Sequence, residues 1–338
     1  MKLKSSLANM KAYKPGKKPP KVKLDANEAN YLIQQLDSPN LTNLNRYPDS
    51  YASDLTNKLA SLHKVSPSQI LIGQGSSELL ELIVKSYLEP GETVVSLRPS
   101  FVMYEKYTNY YNGVYKTFPL REDMTLDLDL FLDFLEEEKP KILFLASPNN
   151  PSGTLLSKQA IQSVLENTDA ILVLDEAYID FVGEDYSMIN QIDQYKNLFI
   201  TRTFSKAYGL AALRIGYLVG PVERINQLKI VKTPYSTSSL SQDLALKALD
   251  YQEEKDTYLA MIKQNKIRLE QVLKDMNIRV FPSSANFLFI QTDLGLGEYL
   301  EEQDIRIRVF PDNYYRITIP SNDELSLLLN ALKEMNQP

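Results

Sequence analysis

From about residue 50 the chain alternates short apolar runs with amphipathic stretches. Ile70–Ile72, Val94–Leu97, Ile142–Ala146, Ala170–Leu174, Leu198–Ile200 and Ile215–Val219 are mostly continuous apolar segments, the pattern of strands buried on both faces. Between them, Ser77–Leu88 sets Leu79, Leu80, Leu82, Ile83 and Tyr87 near helical spacing after a Gly-Ser-Ser start. Lys158–Leu165 does the same with Ile161, Val164 and Leu165. This alternation predicts an α/β fold, a mainly parallel sheet flanked by helices.

After about residue 235 the pattern changes to one long helix-like stretch, Leu240–Met276, with an interruption expected near Lys255. Short strands follow at Val280–Phe281, Phe287–Gln291, Arg306–Phe310 and Tyr315–Ile319, with a turn around Gly295 and helices at Gly297–Gln303 and Asp323–Met335. These read as a smaller α+β domain. Asn27 to about Tyr47 is polar and turn-rich. The expected division is therefore an arm that also supplies part of the small domain (1–45), a large α/β domain (46–240) and a small C-terminal domain (241–338).

Composition narrows the chemistry. With 338 residues, 43% of them hydrophobic, the chain can bury a sizeable core. Its longest apolar runs fall far short of the roughly 18 residues of a membrane span. There is no cysteine, and His63 is the only histidine. Disulfides, thiol nucleophiles, thiolate zinc sites and His-rich metal sites are thereby excluded. His63 stands at the expected end of a helix before Pro67, where a histidine complements the helix dipole rather than acting in catalysis. Residues 1–23 carry eight lysines and no acid; the net charge is −6, so removing those eight leaves −14 on the rest. An acidic body without a basic track offers no nucleic-acid surface. Together with the lack of cysteine and of a signal-peptide pattern, it leads us to expect a cytoplasmic protein. The 21 tyrosines, with no tryptophan and no interleaved basic residues, read as core and interface side chains. Tyr107, Tyr110 and Tyr111 are expected to pack.

In open α/β sheets ligands bind beyond the carboxyl ends of the strands, so the residues after each apolar run carry the chemistry. Gly73-Gln74-Gly75-Ser76-Ser77-Glu78 follows the first run and opens a helix, where backbone N–H groups suit a phosphate; the same composition also makes an ordinary cap. Ser147-Pro148-Asn149-Asn150-Pro151-Ser152-Gly153 is a turn stiffened by its prolines, which holds an amide side chain in a fixed direction. Asp175-Glu176-Ala177-Tyr178 puts a carboxylate at a strand tip, where burial is costly unless it meets a cation. Thr201-Arg202-Thr203-Phe204-Ser205-Lys206, with Arg214 beyond it, sets hydroxyls, an amine and a guanidinium together. Each turn alone is unremarkable. Jointly they supply phosphate ligands, an acid for a ring nitrogen and an amine for a Schiff base, a set that matches pyridoxal phosphate better than any nucleotide.

Ser147–Gly153, Asp175–Tyr178 and the run Thr203–Gly216, in this order and spacing, resemble the fold-type I pyridoxal-phosphate aminotransferases, and within them the histidinol-phosphate aminotransferases. Tyr13–Lys17, Leu24–Glu28, Arg46–Asp49, Pro99–Tyr104 and Tyr315–Thr318 extend the resemblance over nearly the whole chain. It implies Lys206 as the Schiff-base lysine and proton carrier, Asp175 paired with the pyridinium nitrogen, and Tyr178 and Asn150 on the phenolate oxygen. It further implies Tyr104 stacked on the ring. Ser76, Ser77, Thr203, Ser205 and Arg214 would hold the phosphate, with Tyr47 reaching in from a second subunit of a homodimer with shared sites. Arg316 would receive the substrate anion, a carboxylate in one half-reaction and a phosphate ester in the other; Arg308 and Tyr13 are candidates for the remaining contacts.

The sequence departs from that pattern at three places. Ala29-Asn30-Tyr31 follows Asn27-Glu28 instead of a Pro/Gly-rich turn, Ala212 stands where glycine is usual, and Pro320 follows Arg316-Ile317-Thr318-Ile319. The leading expectation is transamination of histidinol phosphate with 2-oxoglutarate in histidine synthesis. The alternatives are an aromatic amino-acid aminotransferase, a decarboxylase of a phosphorylated amino acid, and a non-catalytic binder that kept the fold.

Overall fold

The computed structural model describes residues 20–31, 33, 36 and 44–335. In chain order, β1 (Val22–Leu24) and α1 (Ser53–His63) precede β2 (Ile70–Gly73), α2 (Gly75–Tyr87), β3 (Thr93–Arg98), α3 (Met103–Tyr110) and β4 (Val114–Pro119). Next come α4 (Leu128–Glu138), β5 (Ile142–Ala146), α5 (Lys158–Glu166), β6 (Ile171–Asp175), β7 (Leu198–Thr203) and β8 (Gly216–Val219). Strands β2 to β8 form a seven-stranded sheet in the order β2-β8-β7-β6-β5-β3-β4. All its neighbours are parallel except β8, which runs antiparallel to both β2 and β7.

The continuous apolar runs explain the burial. Along β5 and β6, Leu143, Leu145, Leu172 and Leu174 pack into a core on one face of the sheet, while Ile142, Phe144, Ile171 and Val173 pack on the other. Alternate side chains point to opposite faces, so a strand covered on both sides needs apolar residues at every position. The edge strand β4, Val-Tyr-Lys-Thr-Phe-Pro, has no fully buried residue; lacking a continuous run, it left no strand signal in the sequence.

Five helices and four strands follow this sheet: α6 (Val222–Val231), α7 (Ser239–Ala248), α8 (Gln252–Asp275), β9 (Arg279–Phe281), β10 (Phe287–Gln291), α9 (Leu296–Glu302), β11 (Ile305–Val309), β12 (Tyr314–Thr318) and α10 (Asn322–Met335). The five-stranded sheet has the order β1-β11-β12-β10-β9. Strand β1 pairs in parallel with β11, Val22 opposite Ile305, whereas the other pairs are antiparallel. The N-terminal segment is thus built into the C-terminal sheet. Leu24, Ile262, Leu269, Leu288, Ile317 and Leu328 form a separate core there, each such side chain contributing about 1.5–3 kcal/mol on burial.

The long helical stretch breaks earlier than the expected Lys255. Helix α7 ends at Ala248 and α8 starts at Gln252, because Ala245, Ala248 and Leu249 pack into the core of the large sheet whereas Tyr258 and Ile262 belong to the second core. The expected boundary at 240/241 falls inside α7, and the chain passes from one core to the other at the turn 249–251. The reading of His63 is also corrected. It ends α1, but it is buried, and its Nε2 lies 2.8 Å from the Tyr217 hydroxyl. Burial, reinforced by the nearby Arg202 guanidinium, lowers its pKa to about 4. It is a neutral core group, not a charge on the helix dipole.

This generates a pH prediction. The unfolded chain binds the His63 proton near pH 6.5 and the folded chain only near 4, so its contribution is complete above 6.5 and is lost as pH falls through about 4. The loss amounts to about 3 kcal/mol. Thermal denaturation of the wild type should show Tm falling between pH 7 and pH 5 more steeply than in His63→Gln; parallel curves would contradict the neutral assignment.

Candidate active site

The tips of β3, β5, β6 and β7 and the start of α2 open onto one cavity of about 300 Å³, closed from the other side by residues of β11, β12 and the segment after β1. Each strand tip delivers the chemistry its turn encodes. Asp175 is the last residue of β6 and is buried; its Oδ2 accepts from the Tyr104 hydroxyl at 2.9 Å, and its Oδ1 accepts from Thr201 Oγ1 and the Ala177 N–H, both at 3.2 Å. Burial pushes this carboxyl above the ordinary range, against those three hydrogen bonds. Lys206 follows β7, and its Nζ donates to the Ala26 carbonyl at 2.9 Å and lies 5.7 Å from the Tyr178 ring. Burial, with the Arg316 and Arg214 charges adding to it, brings the Lys206 amine down to about 7. An amine there is partly unprotonated at neutral pH, as a nucleophile toward a carbonyl must be.

The opposite end of the cavity suits an anion. Ser76 and Ser77 line it at the start of α2, whose N-cap Gln74 makes no side-chain cap bond, so helix N-terminal amides face the cavity. Thr203, Ser205 and Arg214 line the same end. Thr203 Oγ1 accepts the Ser205 N–H at 3.1 Å, and Arg214 Nη1 donates to the Ala211 carbonyl at 3.2 Å. Gly75, at φ +74°, makes room for that arginine, since a Cβ there would stand 2.7 Å from Arg214 Nη2. Gly216 lets β8 approach α2 just as closely; its Cβ would stand 2.5 Å from the Ser76 nitrogen.

Across the cavity Arg316 of β12 is buried, and its Nη1 donates to Asn150 Oδ1 at 2.5 Å and its Nη2 to the Asp25 carbonyl at 2.7 Å. Arg308 of β11 is its direct cross-strand partner, exposed and 5.9 Å above the Phe310 ring. Two guanidinium groups on one face of a sheet, beside a cavity, have the charge and planar geometry to receive an anion.

The structure therefore brings Lys206, Asp175, Tyr178, Asn150, Ser76, Ser77, Thr203, Ser205, Arg214, Arg308 and Arg316 to one cavity. Tyr104 lines it as well. It is fully buried, stacked on Phe144 at 4.5 Å and committed through its hydroxyl to Asp175. Phe101, edge-on to Tyr104 at 5.6 Å, is the partly buried aromatic on that wall. Sequence reasoning passed over Phe101 because the first aromatic after Pro99 carries no polar signal. Asn27 was likewise passed over as a site residue; it lines the cavity and donates to the Tyr178 hydroxyl at 3.0 Å. Its one sequence signal was its place in Leu24–Glu28. Tyr47 is 83% exposed, stacked on Tyr235, and away from this chain's own cavity. Tyr13 lies outside the described residues. The departures Ala29, Asn30, Ala212 and Pro320 meet around a second, neighbouring cavity, and none of them lines the first.

A model of the family described as aminotransferase class I and II matches residues 12–332. The chain belongs to that family. It is 33% identical over 346 aligned positions to the histidinol-phosphate aminotransferase of Caldanaerobacter subterraneus subsp. tengcongensis, with 98% of each chain covered. To that of Christiangramia forsetii it is 36% identical, with 92% of this chain and 89% of the relative covered. The crystal structure of histidinol-phosphate aminotransferase from Sinorhizobium meliloti in complex with pyridoxal-5'-phosphate superposes with a TM-score of 0.87 at 26% identity, covering 94% of this chain and 91% of that one. This aminotransferase has the fold-type I architecture, and its cofactor is pyridoxal 5'-phosphate. The residues present fit that group: an amine, a buried carboxylate, and an anion site that an added Cβ at Gly75 would crowd.

The neighbouring acids Asp175 and Glu176 differ in kind. Glu176 is 1% exposed and held in an ion pair with the buried Arg202, 2.9 Å from its Nη2, with Ser187 and the Met188 N–H on its oxygens. Removing it leaves the buried Arg202 guanidinium with only the exposed Glu184 as a carboxylate partner, so Glu176→Ala should destabilise the protein by about 1.5–3 kcal/mol, less than the cost of a wholly unpaired buried charge. Asp175→Asn removes a charge whose burial opposes folding, so the cofactor-free variant should melt at or above the wild-type temperature while losing transaminase activity. Calorimetry of the three proteins checks both; a large drop in Tm for Asp175→Asn would assign that carboxylate to the scaffold.

Proposed function

We propose that this aminotransferase moves the amino group of L-histidinol phosphate to 2-oxoglutarate, giving imidazole acetol phosphate and glutamate, in histidine biosynthesis. The observation that carries the reading is the Arg308–Arg316 pair facing a cavity that already has its own phosphate-type anion site beside α2. The cofactor phosphate takes the second, so the arginine pair is left for the substrate. One planar fork can bind the α-carboxylate of glutamate and, in the other half-reaction, a phosphate ester. The names of the relatives above point to the same substrate; nothing observed favours the aromatic or the decarboxylase alternative.

When bound, pyridoxal 5'-phosphate supplies the electron sink that makes the donor's Cα acidic. The chain supplies the rest. Lys206, with its lowered pKa, would hold the cofactor by its carbonyl and would serve as the base at the donor's Cα. Asp175 would take the ring nitrogen and keep it protonated. Tyr178 and Asn150 would bind the ring oxygen, and Ser76, Ser77, Thr203, Ser205 and Arg214 would hold the phosphate. Tyr13 and Arg308 are candidates for the remaining substrate contacts. We infer a homodimer in which Tyr47 of one subunit completes the phosphate site of the other. Its 83% exposure, with Tyr51 and Tyr235 exposed beside it, supports this. Among the described residues no helix is long and apolar enough to cross a membrane, and a cytoplasmic location fits the cysteine-free composition. Nucleic acid is not expected as a partner.

The test is the visible absorbance of the cofactor-loaded protein on adding histidinol phosphate, or phenylalanine, without an oxo acid. Bleaching at far lower concentration with histidinol phosphate is expected, and the reverse order would transfer the protein to the aromatic enzymes. Arg316→Lys should leave the band in place and raise KM for donor and acceptor by about 10- to 100-fold, the loss of one bidentate charged contact.

A further inference from the structure

The three residues Asp25, Ala26 and Asn27 contact three chemically active side chains in succession. The Asp25 carbonyl accepts from Arg316, the Ala26 carbonyl accepts from Lys206 Nζ at 2.9 Å, and Asn27 Nδ2 donates to the Tyr178 hydroxyl oxygen at 3.0 Å. Asn27 is fixed from behind as well. It is 1% exposed and has a left-handed φ of +51°, a conformation asparagine tolerates better than most residues. Its backbone N–H donates to Thr318 Oγ1 at 3.0 Å, and that hydroxyl in turn lies 3.0 Å from Asn27 Oδ1 and 2.8 Å from the Leu24 carbonyl. Thr318 stands two residues from Arg316 on β12, so the amide is clamped between the C-terminal sheet and the tip of β6.

A tyrosine hydroxyl has one proton to give. With an amide N–H on its oxygen, Tyr178 has no acceptor on the Asn27 side, and its ring is held edge-on against Phe287 at 5.2 Å. The charged groups around it are Lys206, Arg316 and Asp175. Burial pushes the hydroxyl above its ordinary range, so it remains a donor at neutral pH. We propose that Asn27 is a positioning residue, whose side-chain amide occupies the Tyr178 oxygen and thereby commits the Tyr178 proton to the cavity and to the ring oxygen of the cofactor. This rests on the role given to Tyr178 above.

The experiment is a pH titration of the visible band of the cofactor-loaded protein, a readout that general loosening of the structure does not move in a set direction. A donated proton on the ring oxygen withdraws charge from the neighbouring cofactor–lysine nitrogen and lowers its pKa. Asn27→Asp can only accept, so it draws the Tyr178 proton away, and the apparent pKa of the band should rise by about 1. Asn27→Gly keeps the left-handed backbone and frees the hydroxyl, giving a smaller rise. In a Tyr178→Phe background the Asn27→Gly change should vanish, since the two residues act through one hydrogen bond. An unmoved titration in both single variants overturns the proposal, as does a change of the same size in the Tyr178→Phe background. A wild-type protein that shows no band on loading overturns the cofactor reading itself, which is a different result.

Discussion

Everything in this molecule depends on keeping an amine and a carboxylate in a shared cavity, the acid buried and the amine partly so. Lys206 and Asp175 are both displaced from their ordinary protonation by burial, the amine downward and the acid upward. Neither has an opposite charge as its direct hydrogen-bond partner. Lys206 donates to a backbone carbonyl, while Asp175 accepts from two hydroxyls and an N–H. An ion pair between them would quench both; separate neutral partners leave each available to a ligand that brings its own complementary groups.

That arrangement is costly, and the scaffold offsets it nearby. One residue beyond Asp175, the buried Glu176 enters a hydrogen-bonded network with the buried Arg202 and Ser187, which the exposed Glu184 joins from the surface. This network ties the tips of β6 and β7 together, so the strand that carries Asp175 and the loop that carries Lys206 are fixed relative to each other. Below them His63 and Tyr217 form a neutral pair, and Lys255 reaches from α8 to Asp180 at 3.1 Å, linking the second core to the first. The residues that do chemistry and the residues that hold them are next to each other in sequence but differ in whether their charge is paired.

Much of the cavity was legible because its groups sit at strand ends. A parallel sheet puts every carboxyl terminus on one edge, so turns far apart in the chain converge there whatever their intervening lengths. Asp175, Asn150, Ser76 and Lys206 could be assembled on that ground alone. The groups that were passed over answer to a different logic. Tyr104 lies on α3 and its direction is set by packing against Phe144, and Phe101 joins it on the cavity wall. Asn27 matters through a hydrogen bond to a residue 151 positions away, and no local pattern announces such a bond.

The sequence by itself determined the α/β class, the strands buried on both faces, the lysine, the acid and the phosphate turn, because hydrophobic period and turn chemistry are local properties. Tertiary structure decided the rest. It placed β1 in the C-terminal sheet, set Arg308 opposite Arg316, made His63 neutral, and handed the chain from one core to the other at the turn 249–251. Each of these depends on which surfaces meet across the fold. Burial and pairing are properties of both partners, and the sequence around either one records only its own half.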